Sequence, residues 1–115
     1  MAEGFRSYPI KDAVKEYDLF VPLSDNSGKP VDSHRLGQLK RRLIDAFGGL
    51  TDFPQENEGF WKIGRVVFRD KIVILRVLSE DAQRAEQVFD ELKSELIHEW
   101  GQKEVLIIAR EVSTL

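Results

Sequence analysis

Cysteine is absent from this chain of 115 residues, methionine occurs once and histidine twice. Without a thiol there is no disulfide framework, no zinc-thiolate or iron–sulfur site and no cysteine nucleophile. A transition-metal site would have to lean on carboxylates, so no metal and no cofactor is expected. No run approaches the roughly 18–20 uninterrupted apolar residues that span a bilayer. The first residues, Met1 to Pro9, lack the apolar core of a signal peptide. The expectation is a cytoplasmic protein with no membrane partner. A basic excess is missing too: 17 Lys+Arg stand against 20 Asp+Glu, a net −3. Nonspecific nucleic-acid binding draws on a surplus of phosphate-neutralising cations, so nucleic acid is an unfavoured partner.

What remains is an ordinary balance for one globular domain, 42% apolar and 32% charged. A chain of this length buries about two thirds of its unfolded surface and needs no covalent staple. Residues 1–15 show no period and read as a leader or arm, leaving 16–115 as a single α+β domain. Tyr17-Asp18-Leu19-Phe20-Val21-Pro22-Leu23 alternates as a strand, with Tyr17, Leu19, Val21 and Leu23 on one face. Ser24 to Pro30 is a loop by composition. Asp32 or Ser33 offers a helix cap, Leu36, Leu39, Leu43 and Phe47 follow at helical spacing, and Gly48-Gly49 stops the helix. Gly37 inside it marks either a close approach or simple tolerance.

Thr51 to Gly59 is polar, contains Pro54 and reads as a loop. Phe60 to Phe68 and Ile72 to Leu78 read as two strands joined by a turn at Arg69-Asp70-Lys71, with Gly64 a bulge. An alternative places the turn at Lys62-Ile63-Gly64. Ser79-Glu80-Asp81 opens a second helix whose face is Ala82, Ala85, Val88, Phe89, Leu92, Leu96 and Trp100. Val105 to Ala109 is a last strand. This order predicts a ferredoxin-like βαββαβ sandwich, one antiparallel sheet with two helices on one face.

Gly48-Gly49-Leu50-Thr51, Gly59-Phe60-Trp61 and Gln102-Lys103-Glu104-Val105-Leu106 are similar to motifs of a family of small uncharacterised bacterial ferredoxin-like α+β domains. That family has a Phe-x-Gly-Leu-Thr turn after its first helix, a Gly-x-Trp in its second strand and a Gln-Glu-Ser-Val-Leu-like entry to its last. The resemblance runs from Tyr17 to Val112; Lys103 and the acidic loop 52–58 depart from it. It implies the fold and no activity.

A sheet covered on one side should alternate apolar and polar residues. The third and fourth strands do not, since Ile72, Ile74 and Leu78 back onto Val73, Leu75 and Val77, and Leu106 and Ile108 back onto Val105, Ile107 and Ala109. The helix-free face should therefore carry Phe20, Ile74, Leu106, Ile108 and an aromatic from Phe60 or Trp61, with Arg76 among them. Apolar surface of this extent marks an interface. A homodimer through the sheet face or edge, cover by the leader, and a ligand or other partner all fit.

The candidate site residues are thus Phe20, Trp61, Ile74, Arg76, Leu106 and Ile108. Three functions follow. The first is a non-catalytic, self-associating binding module. The second is a small enzyme of the dimeric α+β-barrel kind, its apolar cavity lined by Phe20, Trp61 and Ile74 with His34 or Arg76 as the polar group. The third is RNA recognition: Leu19-Phe20-Val21-Pro22-Leu23 is similar to one ribonucleoprotein motif, with Phe20 stacking a base. The aromatic partner motif is missing from Asp70 to Arg76. Nothing else points to chemistry. His34 and the i,i+3 pair Glu95–His98 read as helix surface, Asp52, Glu56 and Glu58 as a solvated loop without calcium-loop spacing, and Ser24, Ser27 and Ser33 have no nucleophile-elbow context. Charge is segregated, with a basic first helix (Arg35, Lys40, Arg41, Arg42), a basic stretch 62–76 and an acidic stretch 80–99. Such fields can neutralise one another or steer association.

Overall fold

The computed structural model describes residues 14–115; the proposed leader lies almost wholly outside them. The chain runs β1 (Val14–Pro22), α1 (Ser33–Phe47), β2 (Thr51–Ile63), β3 (Val66–Ser79), α2 (Ala82–Glu99) and β4 (Leu106–Val112). The strands form one antiparallel sheet in the order β2-β3-β1-β4.

β1 is central, and its odd-numbered residues explain the core. Tyr17, Leu19 and Val21 are buried beside Val73, Leu75 and Val77 of β3, and both helices lay their apolar stripes on them. Leu39 and Leu43 come from α1, and Ala85, Phe89, Leu92 and Leu96 from α2. The helices start where short polar side chains cap free backbone amides. Asp32 Oδ1 accepts from His34 N at 2.8 Å, and Asp81 Oδ1 from Arg84 N at 3.0 Å. Gly48, with φ 79°, ends α1 in a left-handed conformation that other residues resist. A Cβ on Gly37 would meet nothing within 4 Å, so that glycine reflects tolerance.

The ferredoxin-like sandwich expected from the sequence needs correction. Thr51 to Gly59 is strand rather than loop, Arg69-Asp70-Lys71 lies inside β3, and the turn is Gly64-Arg65, between the paired Ile63 and Val66. Gly64 has φ 61° and Arg65 does not have a positive φ, the pattern of a two-residue turn that puts glycine first. Gly64 is thus the turn and not a bulge; the irregularity sits between Phe53 and Asn57, around Pro54, on an edge strand where a missing donor is tolerated.

These changes alter the architecture. A strand of 14 residues is about 45 Å long at its usual rise, whereas an 18-residue helix reaches about 27 Å. The helix layer cannot cover such strands. The result is an α+β body from which the outer β2–β3 ribbon projects, with a radius of gyration of 16.6 Å against about 13 Å for a compact chain.

Candidate functional site

The even-numbered residues of β1, β3 and β4 share the helix-free face, because paired residues in an antiparallel ladder point the same way. Phe20 pairs with Ile74 on one side and Leu106 on the other; Asp18 pairs with Arg76 and Ile108, and Glu16 with Leu78 and Arg110. From β2 come Phe53, opposite Ile74, and Trp61, opposite Phe68. All six sequence candidates therefore lie on this face. Phe20, Ile74 and Arg76 are half-buried by their neighbours, while Trp61, Leu106 and Ile108 are exposed. The aromatic left open between Phe60 and Trp61 is Trp61; Phe60 points to the other side.

At the centre of the face is an ion cluster that the sequence did not single out. Arg76 donates from Nε to Asp18 Oδ1 at 2.7 Å and from Nη2 to Asp18 Oδ2 at 3.0 Å. Arg110 Nη1 donates to Asp18 Oδ2 at 3.2 Å and also to Glu16. Glu16 lies 3.5 Å from Arg76 Nε. Asp18 is only 3% exposed. Hydrogen bonds from Arg76 hold its carboxyl below the usual carboxylate range, against burial, which pushes it up. The same contacts raise the guanidinium groups of Arg76 and Arg110. Arg76 also lies 4.9 Å over the Phe53 ring. Two carboxylates and two guanidiniums thus form a neutral set within an apolar surround.

Beside the ribbon, a cleft of about 320 Å³ is lined by Trp61, Phe68, Asp70 and Lys103, among others. Trp61 and Phe68 stack at 6.3 Å, and Lys103 Nζ lies 5.5 Å from the Phe68 ring centre. Burial raises the Asp70 carboxyl. Neither Phe20 nor Ile74 lines this cleft, so it is distinct from the cavity expected between the paired sheets of a barrel-kind dimer.

The remaining candidates are dispersed. His34 is exposed in the first turn of α1, and His98 is exposed near the end of α2. Among the described residues no group of three His, Asp or Glu is placed to hold a metal ion. Asp52 pairs with Lys40 at 2.7 Å and Glu56 with Lys71 at 3.7 Å, which accounts for most of the acidic segment as strand-surface pairing. The basic first helix is spent on its neighbours as well. Arg42 pairs with Glu95 of α2, and Arg35 donates to the Glu99 carbonyl at 2.6 Å.

No protein-family model matches the chain, and no curated protein matches it as a relative. The motifs behind the family resemblance occupy structural places: Gly48-Gly49 follows α1, Gly59-Phe60-Trp61 lies in β2, and buried Gln102 donates to the Ser24 carbonyl at 2.8 Å. No helix among the described residues is long and apolar enough to cross a membrane.

Proposed function

We propose that this chain is a non-catalytic, cytoplasmic binding module that associates with a second copy of itself through the helix-free sheet face. One observation carries the reading: the exposed apolar side chains Leu106 and Ile108 and the half-buried Phe20, Ile72 and Ile74 surround an ion cluster whose charges are already matched within the chain. Leaving a buried charge without its partner costs about 3–5 kcal/mol, and here each charge already has its partner within the chain, so a covering surface need not supply one. A face built in this way can pack against an identical face, since a two-fold contact must be self-complementary. Among the described residues no arrangement of nucleophile, base and oxyanion donors accompanies it.

Sedimentation velocity over a range of concentrations tests the reading. A dimer is expected, and Ile108→Glu on the exposed edge strand should dissociate it while leaving the circular dichroism spectrum unchanged. A wild-type chain that stays monomeric at every concentration overturns it. A second reading draws on the cleft at Trp61 and Phe68, which offers an aromatic wall, one cation and one acid to a small planar ligand. Quenching of Trp61 by such a ligand in the Ile108→Glu monomer would favour that reading.

A further inference from the structure

Half of the large apolar side chains that are exposed belong to one short segment. Of the ten such residues among those described, Phe60, Trp61, Ile63, Val66 and Val67 lie on either side of the Gly64-Arg65 turn. They are not on one face. Trp61, Ile63 and Val66 continue the helix-free surface, whereas Phe60 and Val67, 61% and 63% exposed, point to the helix side beyond the reach of either helix. A two-stranded ribbon is marginal in water without packing, and this one presents apolar groups on both sides.

Resting on the self-association proposed above, we infer that the outer β2–β3 ribbon, Gly59 to Asp70, is an arm that a second copy of the chain clasps. Three features favour that occupant. The arm extends the helix-free face, from Phe20 and Ile74 through Ile72 and past the half-buried Asp70 to Phe68 and Trp61, so one partner covers both surfaces. The arm is long enough: the five residues from Gly59 to Ile63 reach about 15 Å, the width of three or four strands of a neighbouring sheet. Its charges also match. Lys62, Arg65 and Arg69 have no ion pair among the described residues, while Glu86, Asp90 and Glu91 of α2 are exposed and equally unpaired, so a second copy brings the acids that this arm lacks. An anionic lipid surface would take the apolar tip and its cations but would leave the adjoining sheet face uncovered.

The test uses Phe60→Ser/Val67→Thr, a pair of changes on the side of the arm that packing between sheet faces alone would not touch. Sedimentation of the full chain should show self-association weakened roughly a hundredfold, the loss expected from two side chains that leave a buried site. Amide exchange in residues 60–68 of the wild type should slow as concentration rises. If the variant associates as tightly as wild type and exchange in 60–68 stays fast in the oligomer, the arm is not clasped, although the sheet-face contact stands. Protection of 60–68 that does not depend on concentration would assign the cover to residues 1–13 and overturn the inference. So would cosedimentation of the wild type with phosphatidylserine vesicles that the same double change abolishes, because the arm would then belong to a lipid surface.

Discussion

Asp18 and Arg76 face each other across the β1–β3 ladder and form a two-pronged contact, at 2.7 and 3.0 Å, in the middle of an otherwise apolar sheet face. The carboxylate is almost fully enclosed and the guanidinium only partly so. Two consequences follow. The pair fixes the register of the central strands, because a slip by one residue would carry Asp18 into the hydrophobic core. It also makes stability depend on pH.

Asp18 has a folded pKa below its unfolded value, so its contribution is complete above the unfolded value of 3.8 and is lost as pH falls through the folded value. Asp18→Asn should therefore cost about 2 kcal/mol in urea unfolding at pH 7, and the gap to wild type should close progressively below about pH 4. An equal deficit at pH 7 and pH 2 would show that the loss is steric rather than ionic.

Tyr17 offers the opposite case. Its hydroxyl is buried with no hydrogen-bond partner among the described residues, and burial raises its pKa. The ring itself is well used, 5.1 Å from Phe89. Tyr17→Phe keeps the ring and removes the orphan group, and should stabilise the chain by up to about 1 kcal/mol in the same assay. Destabilisation would mean that the hydroxyl has a partner after all.

Asp70 has the reverse sign to Asp18. Burial raises its pKa, so the folded chain holds the proton more tightly than the unfolded chain does. The resulting penalty is absent below the unfolded value of 3.8 and grows as pH rises through the folded one. Asp70→Asn should raise Tm at pH 7 and leave it unchanged at pH 3, as scanning calorimetry can show.

Gly64 opens the ribbon turn with φ 61°, which costs a β-branched residue roughly 1–2 kcal/mol. Gly64→Val should speed amide exchange in 60–68 by about tenfold through local opening. Global stability should hardly change, because the core lies at the other end of the strands.

The body of the fold was legible because its elements are written in periodic apolar residues. Leu39 and Leu43, then Ala85, Phe89, Leu92 and Leu96, mark the buried stripes of the helices, and Tyr17, Leu19 and Val21 mark the inner face of β1. The first part of β2 was not legible, since Thr51 to Gly59 pairs through its backbone at an edge of the sheet, where polar side chains meet water on both sides. The Arg69-Asp70-Lys71 cluster imitates a turn, whereas the real one is the less conspicuous Gly64-Arg65. Placing the turn wrongly hid how far the ribbon extends. Phe20, Ile74, Arg76, Leu106 and Ile108 could be named on the helix-free face from two-residue periodicity, which left Phe60 and Trp61 undecided. The ion cluster could not, because Asp18 meets its cations from 58 and 92 residues away and only strand register brings them together.

The placement of β1 between β3 and β4 also sets an order of events during synthesis. Val14–Pro22 leaves the ribosome early, yet one of its edges stays unpaired until Leu106–Val112 has been made. Contacts between segments so far apart close late and slowly, since a long loop must first be drawn in. Between the emergence of Val66–Ser79 and that of Leu106–Val112 the nascent chain therefore carries a half-paired central strand and an exposed apolar ribbon, two surfaces open to neighbouring chains. In a polysome, where identical chains emerge side by side, the encounter that matures the protein and the one that misassembles it would use the same strands.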